Sequence, residues 1–382
     1  MPAASFSNTM TRNPLQGASA ASAATIERLT KLASRGLVPM FDSRKQVFCY
    51  AMKRVEGKVV YEGVSRRYTL MCLLGFHRLE SAGGTSPLPI APMLEPLLTN
   101  FQWIDNVGDL GLVLWACAIL APDRLDQVAK ELELDTALTR FNESGKNISV
   151  HLGWFLTGMS YAKLHGSRSF GAFDLVAREA YKRLCDNQGP RGIFGFHATT
   201  YGIAGINRGR IGCFADQVYP IYAFSRYSQA YGDSNAAQKA QACGDRICEA
   251  QGSLGQWWWH YDSATGNVIG RFPVFSVHQH AMAPMCLQVL GEATGRDYSQ
   301  HIFKGVDWIH SNELKFNMED STDNVVWRCI SPSKTTRALR VGKNLMLGRE
   351  DSENNEGLSV LYECRPYELG WMLYAFADAG RK

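Results

Sequence analysis

The chain has 382 residues, 46 % hydrophobic and 20 % charged, the proportions of a soluble globular protein with a large core in one or two domains. A formal net charge of +4 is too small to point to nucleic acid, and no apolar run reaches the roughly 18 residues of a membrane span. Ten cysteines form no CxxC pair, and several (Cys72, Cys117, Cys286) sit in apolar helical runs; they read as buried, reduced thiols of a cytoplasmic protein, since disulfide frameworks belong to small secreted chains.

Residues 1–23 are rich in Ala, Ser and Thr and lack a basic segment followed by an apolar one, so they read as a flexible tail ahead of a single domain over 24–382. A short helix is expected at 26–37 and extended chain at 45–61. Tyr68, Leu70, Met71, Leu74 and Leu79 then give a helical stripe at 66–79. Pro92 opens another short helix, 106–120 is apolar and helical, and 122–134 is amphipathic. From there helices alternate. Apolar helices at 147–165, 216–232 and 278–295 are each followed by an amphipathic one, at 172–187, 235–250 and 298–312. An apolar helix at 367–380 closes the chain. Residues 313–365 break this rhythm: they predict no helix, only short strands near 325–330 and 358–362. Between Arg328 and Arg349 there are six basic residues and no acidic one. A long insertion of this kind is either a lid over a binding site or a mobile surface excursion.

The stretch 177–197 repeats at 240–260 with an offset of 63 residues, so that Arg183, Cys185, Gln188, Gly189, Gly192 and His197 meet Arg246, Cys248, Gln251, Gly252, Gly255 and His260. Gly232 and Gly295, each where a helix should end, share the offset. The repeating unit is therefore a helical hairpin. One hairpin cannot bury an apolar helix on all sides, whereas a closed ring of hairpins can. QGSLGQW has the spacing Gln-x3-Gly-x-Trp and resembles the QW motif of terpenoid cyclases and prenyltransferase β subunits; QGPRGIF is a weaker copy. The resemblance implies an all-α fold, an α/α toroid of two concentric rings of helical hairpins, similar also to the six-hairpin glycosidases, with 313–365 as a long irregular insertion. It implies that the glutamine caps an outer helix with the aromatic ring beside it. The catalytic signatures DxDD and DDxxD of the cyclases are absent from the sequence.

In a toroid the starts of inner helices meet at one cavity. Those starts carry Asp105, Asp109, Asp216, His278, His280 and Glu368 as candidate catalytic groups, with His151, Trp154, Tyr219, Trp258, Trp259, His260, Arg328 and Tyr367 as candidate substrate contacts. Asp216 alone would serve equally as a helix cap, and Trp257 as the packing aromatic of its motif. His278 and His280 lie two apart, which on a helix sends them to different sides and disfavours a shared metal. No metal or cofactor is assigned. Paired carboxylates would suit glycoside hydrolysis, while His or Tyr with a basic neighbour would suit lyase or epimerase chemistry on an anionic sugar. The leading expectation is a carbohydrate-active enzyme (hydrolase, lyase or epimerase) with an oligo- or polysaccharide in a central cavity. The alternatives are a terpenoid-cyclase-like protein with an apolar cavity and a non-catalytic binding toroid. Neither nucleic acid nor a membrane span is expected, and the oligomeric state is left open.

Overall fold

The computed structural model describes residues 15–141, 147–166, 168–198, 208–351, 355 and 357–379. Among these are fourteen helices: α1 (Ala20–Leu37), α2 (Arg66–Ser81), α3 (Ile90–Thr99), α4 (Val107–Leu120), α5 (Leu125–Glu131), α6 (Ala137–Arg140), α7 (Ser149–His165), α8 (Asp174–Asp186), α9 (Ala215–Tyr231), α10 (Ser234–Glu249), α11 (Ala283–Thr294), α12 (Ser299–Ser311), α13 (Lys334–Leu347) and α14 (Pro366–Phe376). A π-helical turn, His278–Met282, leads into α11. Helices α2, α4, α7, α9, α11 and α14 pack side by side in a closed circle, and α1, α3, α5, α8, α10 and α12 lie around it. This is the α/α toroid.

Composition explains which helices go inside. Helix α4 buries twelve of its 14 residues, so it needs neighbours on every side. Helix α8 buries only Ala177, Ala180 and Leu184, a single stripe suited to an outer position. Glycines let the inner helices approach closely. A Cβ on Gly158 of α7 would stand 2.2 Å from the Gly111 carbonyl oxygen of α4, and one on Gly75 of α2 would stand 2.3 Å from that of Gly370 in α14, where the circle closes.

The two repeat copies form matching joints. Gln188 Nε2 donates to the carbonyls of Gly192 and Lys239, both at 2.9 Å. Gln251 Nε2 donates to those of Gly255, at 3.1 Å, and His301, at 2.9 Å. Each glutamine thus ties its own loop to the next outer helix, α10 or α12. Phe194 and Trp257 are fully buried beside these joints.

One end of the inner ring is closed by aromatic side chains. Trp115 stacks between Tyr161 and Trp371, both at 5.4 Å, with Tyr222 and Tyr374 alongside. The hydroxyls of Tyr161, Tyr222 and Tyr374 form a triangle with sides of 2.7, 2.7 and 3.1 Å.

Three sequence expectations need correction. Helix α1 starts at Ala20, not at 26: Ser19 caps it and buried Ser22 donates to Asp307, at 3.1 Å, so residues 15–23 belong to the folded body. Residues 1–14 of the expected tail lie outside the described residues. The 122–134 helix is interrupted, because Glu133 adopts a left-handed φ of 48° after α5. Residues 313–365 are not irregular. They contain α13, and strand Cys329–Ser331 pairs with both Ser359–Leu361 and Val274–Phe275, while Glu363–Cys364 pairs with Ala51–Val55, itself paired with Lys58–Glu62. Helix α13 escapes a reading by propensity because Thr335, Thr336 and Gly342 are weak helix formers. Contacts fix it instead: Leu345 is buried, and Asn344 Nδ2 donates to the Ile269 carbonyl, at 3.2 Å, and to Asp351, at 2.9 Å. All ten cysteines are free thiols. Among the described residues no helix is long and apolar enough to cross a membrane.

Candidate functional site

The end of the ring opposite the tyrosine triangle holds a cavity of about 190 Å³. Its lining comes from the first turns of inner helices: Arg67, Tyr68 and Met71 on α2, Val150 and Trp154 on α7, Ala215 and Tyr219 on α9, His278 and Met282 on the π turn, and Tyr367 on α14. Trp259, Phe275 and Arg328 complete the wall from the extended segments. The His278 ring lies parallel to Trp259, with centroids 5.8 Å apart, and is flanked by Phe275 at 5.1 Å and Phe214 at 4.6 Å. Tyr68 packs on Tyr367 at 4.7 Å, and Trp154 meets Tyr219 edge-on at 5.1 Å.

Two arginines bring charge to this aromatic cleft, each held from behind. Arg67 Nε and Nη2 donate to the two oxygens of Asp109, at 2.6 and 3.0 Å, and Asp109 also accepts from Asn106 Nδ2, at 2.9 Å, and from the Asp105 backbone, at 3.3 Å. Arg328 pairs closely with Glu368 and lies 3.5 Å from Glu363. Glu368 in turn accepts from the Arg365 backbone, at 3.1 Å, and Arg365 Nη1 donates to the Tyr68 hydroxyl, at 3.0 Å. Burial pushes the Glu368 carboxyl above its ordinary range, against the pull of Arg328. Burial, and then the charge of Arg328, lowers His278 to about 3, so its imidazole is neutral near pH 7. Burial also raises Tyr68, Tyr219 and Tyr367, which keep their protons.

Of the six candidate catalytic groups, only His278 lines the cavity. Asp109 and Glu368 stand behind the arginines. Asp105 is exposed beside Asp109. Asp216 is buried and accepts from the Cys213 backbone, at 2.8 Å, which ties the first turn of α9 to the strand before it. His151 faces a small void of about 20 Å³ with Asn106 and Asn147, and burial lowers it to about 4. His280 is buried and directed elsewhere, because residues two apart diverge. Trp258 and Trp259 are adjacent in a non-helical segment, where successive side chains alternate sides, and the Trp258 Nε1 donates to the Ala250 carbonyl, at 2.8 Å. His260 lies in strand His260–Asp262, paired with Ile211–Cys213, and does not line the cavity. Trp154, Tyr219, Trp259, Arg328 and Tyr367 do line it. The sequence reading missed Arg67, Tyr68, Met71, Val150, Ala215, Phe275 and Met282. Counting the helix at 66–79 as an inner one would have found the first two. Arg337 and Arg340 have side chains outside the described residues. Among the described residues no three His, Cys, Asp or Glu side chains group as metal ligands.

No protein-family model matches this chain, and no curated protein matches it in sequence. Solved structures match along almost its whole length. A sugar epimerase from a ruminal bacterium superposes with a TM-score of 0.60 at 11 % identity, over 95 % of this chain and 100 % of that one. The α-1,6-mannanase GH76A from a Salegentibacter species gives 0.57 at 16 % identity, over 94 % and 99 %. The unsaturated glucuronyl hydrolase from a Bacillus species, responsible for the degradation of glycosaminoglycan, gives 0.56 at 14 % identity, over 93 % and 95 %. The chain therefore shares the α/α-toroid fold of these structures, a statement about fold alone.

Proposed function

We propose that the chain is a carbohydrate-active enzyme whose cavity takes one anionic sugar unit of an oligo- or polysaccharide. The observation that carries this reading is the pair of guanidiniums, Arg67 and Arg328, in a cleft otherwise walled by aromatic and apolar side chains. Aromatic faces suit the apolar faces of a sugar ring, and the guanidinium fork matches a carboxylate. Buried carboxylates behind both arginines fix their positions before a ligand arrives. The cavity, at about 190 Å³, is smaller than the roughly 300–1,000 Å³ of sites for drug-sized ligands, which favours a single ring. The sugar epimerase and the glucuronyl hydrolase that share the fold support the substrate class.

Lyase or epimerase chemistry fits the cavity better than hydrolysis. Glycoside hydrolysis draws on two carboxyls about 5–10 Å apart. Among the described residues the lining holds none, since Asp109 and Glu368 are engaged with their arginines. Proton abstraction next to a sugar carboxylate needs that carboxylate neutralised, which Arg328 and Arg67 would do, a neutral base, which His278 supplies, and a protonated donor, for which Tyr219 and Tyr367 are placed. A bound carboxylate would offset the charge of Arg328, the second cause of the low His278 value, while burial, the larger cause, would remain. An apolar ligand, as in terpenoid cyclases, has Met71, Val150 and Met282 in its favour, but it would desolvate two guanidiniums without replacing their water.

The test is a turnover screen in D2O with uronate-containing and neutral oligosaccharides. Deuterium at the carbon beside the carboxylate, or an unsaturated uronate product, is expected from the acidic set. His278→Ala should abolish it, and Arg328→Ala should raise KM. Turnover confined to neutral glycans rejects the proposal.

A further inference from the structure

Five of the fourteen large hydrophobic side chains exposed among the described residues, Tyr50, Val55, Val60, Tyr61 and Val64, fall within residues 50–64. Scattered exposed apolar residues need no explanation, but a concentration of them does. These lie on and beside a hairpin. Strand Lys58–Glu62 pairs with Ala51–Val55 through five residue pairs without a bulge, and Ala51–Val55 pairs on its other side with Glu363–Cys364. Lys58–Glu62 is therefore an edge of this three-stranded sheet. An edge strand presents unpaired backbone groups, which proteins commonly guard with proline, a bulge or charge. This strand, KVVYE, has no proline, and its charges stand only at its two ends.

Which backbone groups face outward follows from the turn. Glu56 and Gly57 have φ values of 50° and 77°, a two-residue turn with both central residues left-handed, so the closing pair Val55 and Lys58 is hydrogen-bonded. Hydrogen-bonded and non-hydrogen-bonded pairs then alternate along the hairpin. Arg54 and Val59 form a non-hydrogen-bonded pair, and the Arg54 N–H donates away from the hairpin, to the Tyr362 carbonyl, at 3.0 Å. Glu62 turns its carbonyl inward, to the Tyr50 N–H, at 2.8 Å. Val59 and Tyr61 alternate with the inward-facing residues and direct their N–H and C=O groups to the open side.

We propose that this edge pairs antiparallel with the same edge of a second copy of the chain, about a two-fold axis at Val60. Identical strands paired in this way set Val59 against Tyr61 of the partner subunit. The outward-facing groups then meet, and each such pair exchanges both N–H···O=C bonds. Val60 meets Val60 of the partner subunit. On either side of the axis a lysine at position 58 meets Glu62 of the opposite strand, in non-hydrogen-bonded pairs where side chains come closest. Lys53 Nζ holds Glu62 through Oε2, at 2.6 Å, which leaves Oε1 for Lys58 of the partner subunit. Charge selects this register over its neighbours. An axis at Val59 or Tyr61 would set a charge against a valine, and an axis at Lys58 or Glu62 would set like charges face to face. The strand is thus its own complement. Pairing would join the two three-stranded sheets into one, whose outermost strand in each copy carries Glu363, 3.5 Å from Arg328 of the cavity wall. The inference is independent of what the cavity binds.

The experiment is sedimentation velocity of the full chain over a range of concentrations. A dimer in reversible equilibrium with monomer is expected. Lys58→Glu and Glu62→Lys each turn the attractive pairs into repulsive ones, and each variant alone should dimerise at least about tenfold more weakly. Mixed in equal amounts, the two should form a mixed dimer as tight as the parent's, because each supplies the charge that the other lacks. Val60→Lys sets two cations together on the axis and should give monomer. Positions 58, 60 and 62 are all exposed, so the melting curves should stay close to the parent's. The proposal is overturned if the parent is a monomer at every concentration at which it stays in solution, which would leave the edge to an extended segment of a different protein. It is also overturned if Val60→Lys leaves the dimer intact, or if the two charge variants fail to combine.

Discussion

The two ends of the inner ring draw on the same side-chain types, aromatic rings with tyrosine hydroxyls and an arginine, and use them oppositely. At the closed end most of the polar atoms answer one another, Arg226 Nε and Trp115 Nε1 excepted: three tyrosine hydroxyls form a triangle, and half-buried Arg226 pairs with Glu292, at 3.3 Å, while lying 5.5 Å from the Tyr161 ring. At the open end Arg67 and Arg328 are paired only from behind, and their front sides line a cavity. A polar group whose partners lie within the protein stabilises; one paired on a single side with its other side on a cavity is ready for a ligand. The closed end should therefore respond to mutation in stability, and the open end in binding.

The largest effect is expected at the closed end. Trp115→Ala empties a fully buried site that contacts four aromatic rings and should cost about 3–5 kcal/mol. Chemical denaturation measures it. An unchanged unfolding midpoint would mean that the ring does not depend on this plug.

Acid should expose the next largest effect. His278 at the mouth and His280 in the core are both lowered to about 3, first by burial, against an ordinary value of about 6.5. Because the folded state resists protonation, their contribution to stability is complete above about pH 6.5 and is lost as the pH falls toward 3. Between about pH 7 and pH 5 the loss should be on the order of 2 kcal/mol per histidine. Urea unfolding across this range tests it. His280→Asn should remove about one proton from the slope. A bound anionic sugar should reduce only the share of His278. A slope that His280→Asn leaves intact would locate the protons elsewhere.

The toroid was legible because its causes are local and repeated. The 63-residue offset put Gln188 and Gln251 in equivalent places, and they make equivalent bonds. The site was less legible because the direction of a side chain within a helical first turn does not show in a sequence. The conspicuous carboxylates turn away to bind backbone or to pair, as Asp216 does on the Cys213 backbone and Asp109 on Arg67. The residue three positions on from such a conspicuous group, Tyr219 after Asp216 or Trp154 after His151, faces the cavity in its place. Arg67 stood unremarked at the start of an apolar stripe, because nothing local says that a carboxylate 42 residues away will hold it.

The repeat joints offer a finer test. Gln188→Ala and Gln251→Ala each remove two hydrogen bonds to backbone carbonyls in half-buried surroundings. Each should cost about 1–2 kcal/mol, and the two costs should be alike. One substitution costing much more than the other would show that the joints share geometry without sharing weight.

The smallest effect should lie at the mouth, where it separates the two ends most sharply. Arg67→Lys keeps the charge but removes the fork that engages both oxygens of Asp109. Asp109 retains Asn106 Nδ2 and the Asp105 backbone as donors, so no buried carboxylate is stranded. The Arg67 side chain is also 33 % exposed, so water takes up what the substitution releases. Stability should therefore change by less than about 1 kcal/mol. Binding should change more, because an ammonium swinging on a flexible stem no longer presents a fixed planar donor to an anionic sugar. A tenfold loss of affinity, about 1.4 kcal/mol, is the expected size. Calorimetric titration with a uronate-containing oligosaccharide measures one quantity and denaturation the other. If Arg67→Lys destabilised the chain as much as Trp115→Ala, the arginine would belong to the scaffold, and the contrast between the two ends would not hold.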